Sequence, residues 1–373
     1  MRNSSREFNN AVHALRALAV LMVFAVHLLD SFNTYFFPDC EPLNLAMPFV
    51  KRFGTFGVEL FFVISGFVIM NSVRKYDLRE FLLRRLIRIY PLFAAFTVVF
   101  FVMSLITNFH SHAGASVGSG PTLGTALLNL TFLNIYFGTQ ALSPNAWSLT
   151  FEANFYIFAG IACFFLRERM IGVVMLLLLG MMAFLITFPI ATYFVVGCLL
   201  YALRGLQPTS LPRALQFAVL AAWCVLATTI DHETMSPLSV VLIAASAIFF
   251  FVVTVPDGIF AHISHFKWVS LLGTISYSMY LAHPYAYFPL RLLFQRMSLG
   301  NLGIGAAAAI YFPTIVVAAL AASYAVYLLL EVAPYRAAFG ESIFKNRAED
   351  GPRRREERPI REEQSAPLIG SNQ

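Results

Sequence analysis

The sequence has little charge. Asp, Glu, Lys and Arg make up only 12% of its 373 residues, while 58% are hydrophobic and 38 are Phe. A typical soluble domain is about 25% charged, so a globule of this composition would lack polar surface. The mean hydropathy of +0.70 points the same way. The sequence therefore predicts an integral membrane protein whose apolar segments are solvated by lipid.

Cysteine is also scarce. Of the four cysteines, Cys163, Cys198 and Cys224 lie in apolar segments, and only Cys40 lies in a loop with polar neighbours. The sequence contains no CxxC pair. It therefore predicts neither a disulfide framework nor a metal site, and no bound cofactor is expected.

The long apolar runs define ten candidate membrane spans, some of them short or bounded by proline. They are 11–30, 54–73, 86–107, 147–166, 170–187, 189–203, 214–230, 237–255, 269–290 and 303–330. With a cytoplasmic N-terminus, 22 of the 26 Lys and Arg residues fall in segments on the inner side, as the positive-inside rule requires. We therefore predict an all-α polytopic transmembrane helix bundle of about ten spans, with both termini cytoplasmic. Since the basic residues are spread over loops, the net charge of +6 does not indicate a nucleic-acid partner.

A long outer loop is predicted at 108–146, within a stretch from Ile89 to Phe151 that has no charged residue. Its segment 123–137 is apolar but interrupted by polar residues, and counting it as a span would invert the charge distribution of every later loop. It is therefore predicted to be an interfacial or re-entrant helix. The polar residues of the loop, including His110 and His112, suit either the binding of a neutral polyol or the packing of a lid.

Residues 1–335 are predicted to form one membrane-embedded domain. Residues 336–373 combine many charges of both signs with Pro and Gly and few large apolar residues. Such a segment cannot bury a core, so it is predicted to be a disordered cytoplasmic tail.

Two ionisable residues interrupt the first apolar run. A charge at mid-membrane costs at least about 2.5 to 3.5 kcal/mol, so such residues are candidates for function. Arg16 and His27 are eleven residues apart, which on an α-helix places them on one face, about 16 Å apart along the axis. Taken singly, either residue also fits an interfacial position from which its side chain reaches the polar headgroups.

Two acidic residues stand out in later spans. Glu59 lies near the predicted outer end of the second span, where a carboxylate is favoured by the helix N-terminus, and Ser65 lies near the middle of that span. In the fourth span Ser148 and Glu152 are four residues apart and therefore share a face. Glu152 lies deeper than a capping residue should, which favours a functional role.

The ninth span carries a polar stripe formed by Ser276, Tyr280 and His283. Pro284 removes a backbone hydrogen bond and is expected to kink the helix there, as in helices that line a cavity. For His283 we predict packing and pocket lining rather than proton transfer.

Arginines cluster at the cytoplasmic end of the third span. Arg84, Arg85 and Arg88 are explained fully by positive-inside anchoring. The same guanidinium groups would also suit the phosphates of a nucleotide-bearing donor. The sequence leaves both interpretations open.

Five segments together resemble the acyltransferase family 3 membrane proteins. They are LRALAVLMVFAVH, FGVELFFVISGF, FLLRRLIRIYPL, NAWSLTFEANFY and LGTISYSMYLAHP. The resemblance implies a bundle of about ten helices that moves an acyl group, often acetyl, from cytoplasmic acyl-CoA to a hydroxyl of an extracytoplasmic glycan. It also implies that His27 is the catalytic base or relay and that Arg16, Arg85 and Arg88 support donor binding, and it carries Glu152 over as the matching acidic residue.

The residues also suit this chemistry without reference to the family. Attack of a sugar hydroxyl on a thioester needs a base near neutrality, such as the imidazole of His27, with a partner for its other nitrogen, for which Glu152 and Glu59 are candidates. Candidate oxyanion donors are Ser65, Asn145, Ser148 and Tyr280. Because acyl-CoA is cytoplasmic and His27 lies outward, either the pantetheine arm enters the bundle or His27 carries the acyl group transiently.

The expected partners are an acyl-CoA co-substrate, first of all acetyl-CoA, a glycan acceptor, the lipid bilayer and a polysaccharide-assembly machinery. The acceptor is expected to be an exopolysaccharide or its lipid-linked repeat unit, and the location the bacterial inner membrane. A transporter or flippase of a glycan or lipid-linked intermediate is the rival interpretation, since buried charges and proline-broken helices suit it equally. A catalytically silent scaffold would have little reason to hold Arg16, His27 and Glu152 in apolar helices.

Overall fold

The computed structural model describes residues 2–107, 122–139, 141–143, 145–230 and 236–340, and this part of the chain is helical with no strand. The helices are α1 Arg2–Phe36, α2 Glu41–Lys75, α3 Leu78–Thr107, α4 Leu123–Leu130, α5 Trp147–Arg167, α6 Ile171–Thr187, α7 Thr192–Leu203, α8 Arg213–Thr229, α9 Pro237–Val253, α10 Ile259–Ile263, α11 Lys267–Arg296, α12 Ile304–Val326 and α13 Ala333–Phe339. A π-helical segment, Tyr327–Val332, joins α12 to α13. The prediction of an all-α protein is confirmed for the described residues.

The ten predicted spans all fall on helical segments of the structure. Within the described part of the chain, six stretches are long and apolar enough to cross a membrane: Asn10–Phe36, Glu41–Lys75, Leu78–Leu105, Trp147–Arg167, Pro189–Leu206 and Ile304–Phe339. Helices α6, α8 and α9 are apolar but shorter. Helix α11 is long enough, yet its composition keeps it out of this group because its Ser, Tyr and His residues lower its hydropathy. The chain is thus an integral membrane protein, while the number of about ten crossings and the orientation of the termini stay predictions.

Several helices are longer than their apolar runs. Helix α1 continues to Phe36, and α2 begins at Glu41, thirteen residues before the predicted start at Gly54. Helix α3 likewise begins at Leu78. Hydropathy marks the part of a helix that suits lipid, whereas backbone hydrogen bonding continues into the polar flanks. The helix boundaries predicted from hydropathy therefore lie inside the observed ends of the helices.

The core lies where α2 meets α1 and α7, and α1 meets α11. Helices α2 and α7 approach closely at Gly66 and Gly197: a Cβ atom on Gly66 would lie 2.0 Å from the carbonyl oxygen of Phe194, and one on Gly197 would lie 2.1 Å from that of Val63. Only glycine permits this approach, which brings the two backbones into contact as small residues do between membrane helices. The close contact fixes the position of α2, which carries Ser65.

The described residues of the predicted outer loop, from 122 onward, contain one short helix. Helix α4 has eight residues, or about 12 Å at 1.5 Å per residue, which is too short to span a bilayer. Turns follow through Gly138, so the interfacial helix predicted over 123–137 is shorter than expected. Asn134 accepts a hydrogen bond from the hydroxyl of Thr150 on α5 at 3.2 Å and ties the segment to the bundle. His110 and His112 lie outside the described residues.

A short helix crosses the predicted boundary between the membrane domain and the tail. Helix α13 continues to Phe339, past the boundary predicted at 335, because residues 333–339 still carry aromatic and apolar side chains. Tyr335 and Phe339 pack against each other, with ring centroids 4.8 Å apart. The remainder of the predicted tail, 341–373, lies outside the described residues.

Candidate functional site

A small internal cavity lies among α1, α2, α3, α5 and α11. Its volume is about 60 Å³, enough for a few water molecules at roughly 10 to 15 Å³ each. Seven of the ten predicted site residues line it: Arg16, Ser65, Arg85, Arg88, Ser148, Glu152 and Tyr280. These residues come from five helices that are far apart in the sequence, and the structure brings them together in a single cavity.

Glu152 is the hydrogen-bonding centre of this cavity. One of its carboxylate oxygens, Oε1, accepts a hydrogen bond from Ser65 Oγ at 2.5 Å and another from the hydroxyl of Tyr156. Ser148, one turn earlier on α5, bonds to the hydroxyl of Tyr280 at 2.7 Å. Tyr156 was not predicted as a site residue, although its position four residues after Glu152 places both on one face of α5. A carboxylate held by two hydroxyl donors has its orientation fixed before any ligand arrives.

Pro284 acts on this cavity indirectly. Helix α11 continues through Pro284 to Arg296, so the predicted kink does not interrupt the helix. Proline has no N–H, which leaves the carbonyl of Tyr280, four residues earlier, without its helical partner. The side chain of Asn145 donates to that carbonyl at 2.9 Å. Asn145 therefore completes the backbone hydrogen bonding of α11 rather than aiming its amide N–H at a reacting atom.

A larger recess, here called the arginine cleft, opens next to the cavity. Its volume is about 360 Å³, and its lining includes Ser72, Tyr76, Arg84, Glu331 and Tyr335. Arg16, Arg85 and Arg88 line both the cleft and the cavity, so they form the neck between them.

Three of the four arginines of the neck and cleft are held by a neighbour. Arg85 donates to Ser72 Oγ, and its guanidinium lies 5.2 Å from the centre of the Tyr156 ring. Arg16 Nε donates to Ser276 Oγ at 3.2 Å. Arg84 pairs with Glu80 at 2.7 Å, outside the neck. Of the cluster predicted either to anchor the helix or to dock phosphate, Arg84 has an anchoring partner, and Arg85 and Arg88 face the internal space.

Glu331 is a site residue that our sequence analysis missed. It lies in the π-helical segment, lines the arginine cleft and accepts a hydrogen bond from Ser278 Oγ at 2.9 Å. Its negative charge acts on Arg16 and Arg88. The signal was present, because Glu331 is the only acidic residue between Asp257 and Glu341 and therefore stands alone in an apolar stretch. π-Helical turns often mark functional sites, and this one occurs at the cleft.

Two histidines lie beyond the other end of the cavity. The Nδ1 atom of His27 is 2.7 Å from the carbonyl oxygen of Val23, and that of His283 is 2.8 Å from the carbonyl oxygen of Met279. A carbonyl only accepts, so in each neutral ring Nδ1 carries the hydrogen and Nε2 presents a lone pair. The ring centroids are 5.1 Å apart. Nε2 of His283 is buried with no hydrogen-bond partner among the described residues.

The structure changes three expectations for this end of the site. Val23, and neither Glu59 nor Glu152, bonds to the second nitrogen of His27, because the carbonyl four residues earlier on the same helix is within reach. His283 does not line the cavity and lies one turn beyond Tyr280, which does. No hydrogen bond among the described residues joins His27 to Glu152, and only Glu152 lines the cavity.

Glu59 is not part of the cavity. It is completely buried beside Tyr193 of α7, whereas its neighbour Val58 lines the cavity. The alternative of a helix-capping role is also wrong, since α2 begins at Glu41 and Glu59 lies in its interior. A one-residue difference turns a helical side chain by about 100 degrees, which is enough to take Glu59 away from the site.

Comparison with known proteins gives one family and several curated relatives. The family model described as an acyltransferase domain matches residues 9–328. A peptidoglycan O-acetyltransferase, OatA of Listeria monocytogenes, is 28% identical over 41% of this chain and 24% of its own length. A putative peptidoglycan O-acetyltransferase, YrhL of Bacillus subtilis, is 25% identical over 72% of this chain and 47% of its own length.

A third relative is matched over more of its own length. The exopolysaccharide production protein ExoZ of Rhizobium meliloti is 29% identical over 62% of this chain and 76% of its own length. The chain thus spans less than half the length of the two peptidoglycan relatives and most of this one. No solved structure matches the chain.

Proposed function

Because the chain belongs to acyltransferase family 3, whose model covers residues 9–328, we propose that it is a membrane O-acyltransferase. It moves an acyl group, acetyl in the first instance, from cytoplasmic acyl-CoA to a hydroxyl of an extracytoplasmic glycan. The observation that carries the proposal is the neck formed by Arg16, Arg85 and Arg88, which connects a basic cleft to a cavity that extends toward the histidines.

The arginine cleft suits the donor. Guanidinium groups bind phosphate oxygens through paired N–H donors, and Arg85 and Arg88 present such groups at the neck. By the positive-inside rule this end of the bundle faces the cytoplasm, where acyl-CoA is found. The diphosphate of the donor then lies in the cleft, and its pantetheine arm enters the cavity past Arg16.

The cavity guides the arm toward His27. Glu152, held by Ser65 and Tyr156, offers a carboxylate that accepts from an amide N–H of the arm. Ser148, one helical turn from Glu152, and its hydrogen-bond partner Tyr280 lie further along the cavity. The cavity lining includes Tyr280, one turn before His283 on α11. Because this lining runs from the neck arginines to Tyr280, we favour entry of the arm over a route in which His27 carries the acyl group.

His27 is the proposed base. Its Nε2 lone pair takes the proton of the acceptor hydroxyl while that oxygen attacks the thioester carbonyl carbon. The carbon–sulfur bond then breaks, and the leaving sulfur recovers the proton from the imidazolium. The fixed Nδ1–H contact with Val23 holds the ring in the tautomer that this role requires.

The proposed acceptor is an exopolysaccharide or its lipid-linked repeat unit, and the proposed location is the bacterial inner membrane. The relative named for exopolysaccharide production supports this choice, since this chain covers 76% of it but only 24% and 47% of the two peptidoglycan O-acetyltransferase relatives. A polysaccharide-assembly machinery is the expected partner.

Radiolabelled acetyl-CoA tests the proposal. The purified protein is incubated with label and with candidate oligosaccharides, and label is measured on glycan and on protein. We expect label on a glycan with the wild-type protein and none with His27→Ala or Arg16→Ala. His262→Ala is the control, because His262 is a surface residue near Asp257 and does not line the cavity.

Two outcomes would contradict the proposal. Wild-type acylation in either site variant would overturn the assignment of that residue. Label on neither glycan nor protein would favour the rival interpretation of a transporter or flippase.

A further inference from the structure

A second recess adjoins the arginine cleft on the same end of the bundle. Its volume is about 850 Å³, and we call it the lysine recess after Lys267. His13, Thr274 and Tyr327 line both the lysine recess and the arginine cleft. The wall between them is held in place, since His13 Nε2 is 3.0 Å from the carbonyl oxygen of Ser270. A single elongated molecule can therefore occupy both spaces.

The lysine recess has the chemistry of an anion site. Lys267, His13 and His265 line it, and none of the lining residues that the structure describes is acidic. Lys267 is exposed and is the first residue of α11, so the free N–H groups at the start of that helix add positive character beside its ammonium group.

Aromatic and polar side chains complete the lining. The rings of Tyr324 and Tyr327 are 6.3 Å apart and inclined by 33 degrees. Asn10, Ser264 and Ser270 provide hydrogen-bonding groups around them. An aromatic face beside an ammonium group and amide or hydroxyl groups suits a purine nucleotide, because the base packs on the ring while the phosphate meets the ammonium group.

The covalent structure of acyl-CoA determines which part of the donor would lie in the lysine recess. In the proposed function the diphosphate lies in the arginine cleft and the pantetheine arm leads inward through the neck. The other end of acyl-CoA is an adenosine with a phosphate on its ribose 3′ oxygen, and it must leave the cleft away from the neck. The lysine recess shares His13, Thr274 and Tyr327 with the cleft and is lined by none of the three neck arginines, so it meets both conditions.

We propose that the lysine recess binds the 3′-phosphoadenosine end of the donor, with Lys267 and His265 at the 3′-phosphate and Tyr324 or Tyr327 against the base. This inference rests on the proposed function. It makes the protein selective for donors that carry the 3′-phosphate, a property that the catalytic step itself does not require.

Two donors that differ only in the 3′-phosphate test the inference. Steady-state transfer is measured with acetyl-CoA and with acetyl-3′-dephospho-CoA, in neutral detergent. We expect the KM of the wild-type protein to be about tenfold higher for the dephospho donor, with kcat unchanged, because one charge-assisted contact contributes about that factor to binding. Lys267→Ala should raise the KM for acetyl-CoA to the dephospho value and leave the KM for the dephospho donor unchanged.

Arg213→Ala is the matched control. Arg213 is exposed, begins α8 as Lys267 begins α11, and lies on the same predicted side of the membrane, but it lines neither recess. This variant should keep the wild-type preference for acetyl-CoA. His265→Ala should reduce the preference in part.

Four outcomes would overturn the inference. Equal KM values for both donors in the wild-type protein, or an equal rise for both in Lys267→Ala, would show that the 3′-phosphate is not bound by Lys267. An effect of Lys267→Ala seen only in nanodiscs with anionic lipid, and independent of the donor, would assign the recess to a lipid headgroup. Transfer from neither donor would overturn the proposed function and this inference with it.

Discussion

The arginine end and the histidine end of the site are built differently. At the arginine end, Arg85 and Arg88 face open recesses and lie near hydroxyl and aromatic groups that leave room for a ligand. At the histidine end, His283 is completely buried and its ring lies 5.1 Å from that of His27. An open, strongly charged space suits recognition of a large anion, and a closed space with two basic nitrogens suits proton transfer.

The two ends are joined by one unbroken helix. Arg16 and His27 both lie on α1, eleven residues or about 16 Å apart. This separation means that substitutions at the two ends should affect different kinetic constants. Donor recognition should appear in KM, and chemistry in kcat.

The largest effect is expected from His27→Ala. Loss of a general base should lower kcat by about 10²- to 10⁴-fold, while the KM for acetyl-CoA stays near the wild-type value. Steady-state kinetics with a saturating acceptor measure both constants. A large rise in KM with unchanged kcat would place His27 in donor binding and remove the distinction between the two ends.

Arg85→Ala should give the opposite pattern. Loss of a guanidinium contact with phosphate should raise the KM for acetyl-CoA about 10- to 100-fold and change kcat little. Arg85→Lys should restore only part of the affinity, because an ammonium group cannot make the paired contact. Arg296→Ala provides the control, since Arg296 is exposed at the far end of α11. A fall in kcat alone would count against a donor-binding role.

Glu152 lies between the two ends and should affect both constants. Glu152→Gln keeps an oxygen that accepts from Ser65 and Tyr156 but removes the charge, so we expect a loss in kcat/KM of about tenfold. Glu152→Ala also removes the acceptor and should lose more. Equal losses in the two variants would show that the charge, and not the hydrogen-bond geometry, is what matters.

His283→Gln should mainly lower kcat, by up to about tenfold. His283 presents an Nε2 beside His27 that has no hydrogen-bond partner among the described residues and can share the proton that His27 takes up, whereas the Gln side chain lacks a basic nitrogen. Thermal unfolding of the purified variant separates this effect from loss of packing. Wild-type kcat in a stable variant would leave His283 with the packing role predicted from the sequence.

The smallest effect, and the one of opposite sign, is expected from Glu331→Gln. Its negative charge faces Arg16 and Arg88 in the cleft, so its removal should strengthen the attraction of an anionic donor. We expect the KM for acetyl-CoA to fall about threefold at low salt, with the difference shrinking as salt screens the cleft. A higher KM would show that Glu331 positions the arginines instead of competing with the donor.

Much of the site was predictable because lone polar residues in apolar runs are conspicuous. Arg16, Ser65, Arg85, Arg88, Ser148, Glu152 and Tyr280 were all predicted, and all line one cavity. Tyr156 and Glu331 were missed for different reasons. Tyrosine is common in apolar helices, so Tyr156 did not stand out in the sequence. Glu331 was overlooked because it lay close to the predicted end of the domain.

The pairing of residues was less predictable. Glu59 and Glu152 looked alike in the sequence, yet Glu59 turns toward Tyr193 and Glu152 toward Ser65 and Tyr156. The partner of His27 turned out to be the carbonyl of Val23 on its own helix. A choice between two helical faces depends on the rotation of each helix against its neighbours, which hydropathy does not encode when all faces are apolar.

The sequence by itself determined that this chain is a helical membrane protein and which few ionisable groups its apolar helices carry, because composition and lone charges depend only on the order of residues. The tertiary structure alone decided that Arg16, Arg85 and Arg88 form a neck between two recesses and that the histidines lie beyond the cavity. These arrangements arise where five helices cross. The contacts that set each crossing, such as Gly66 against Phe194, join residues far apart in the chain.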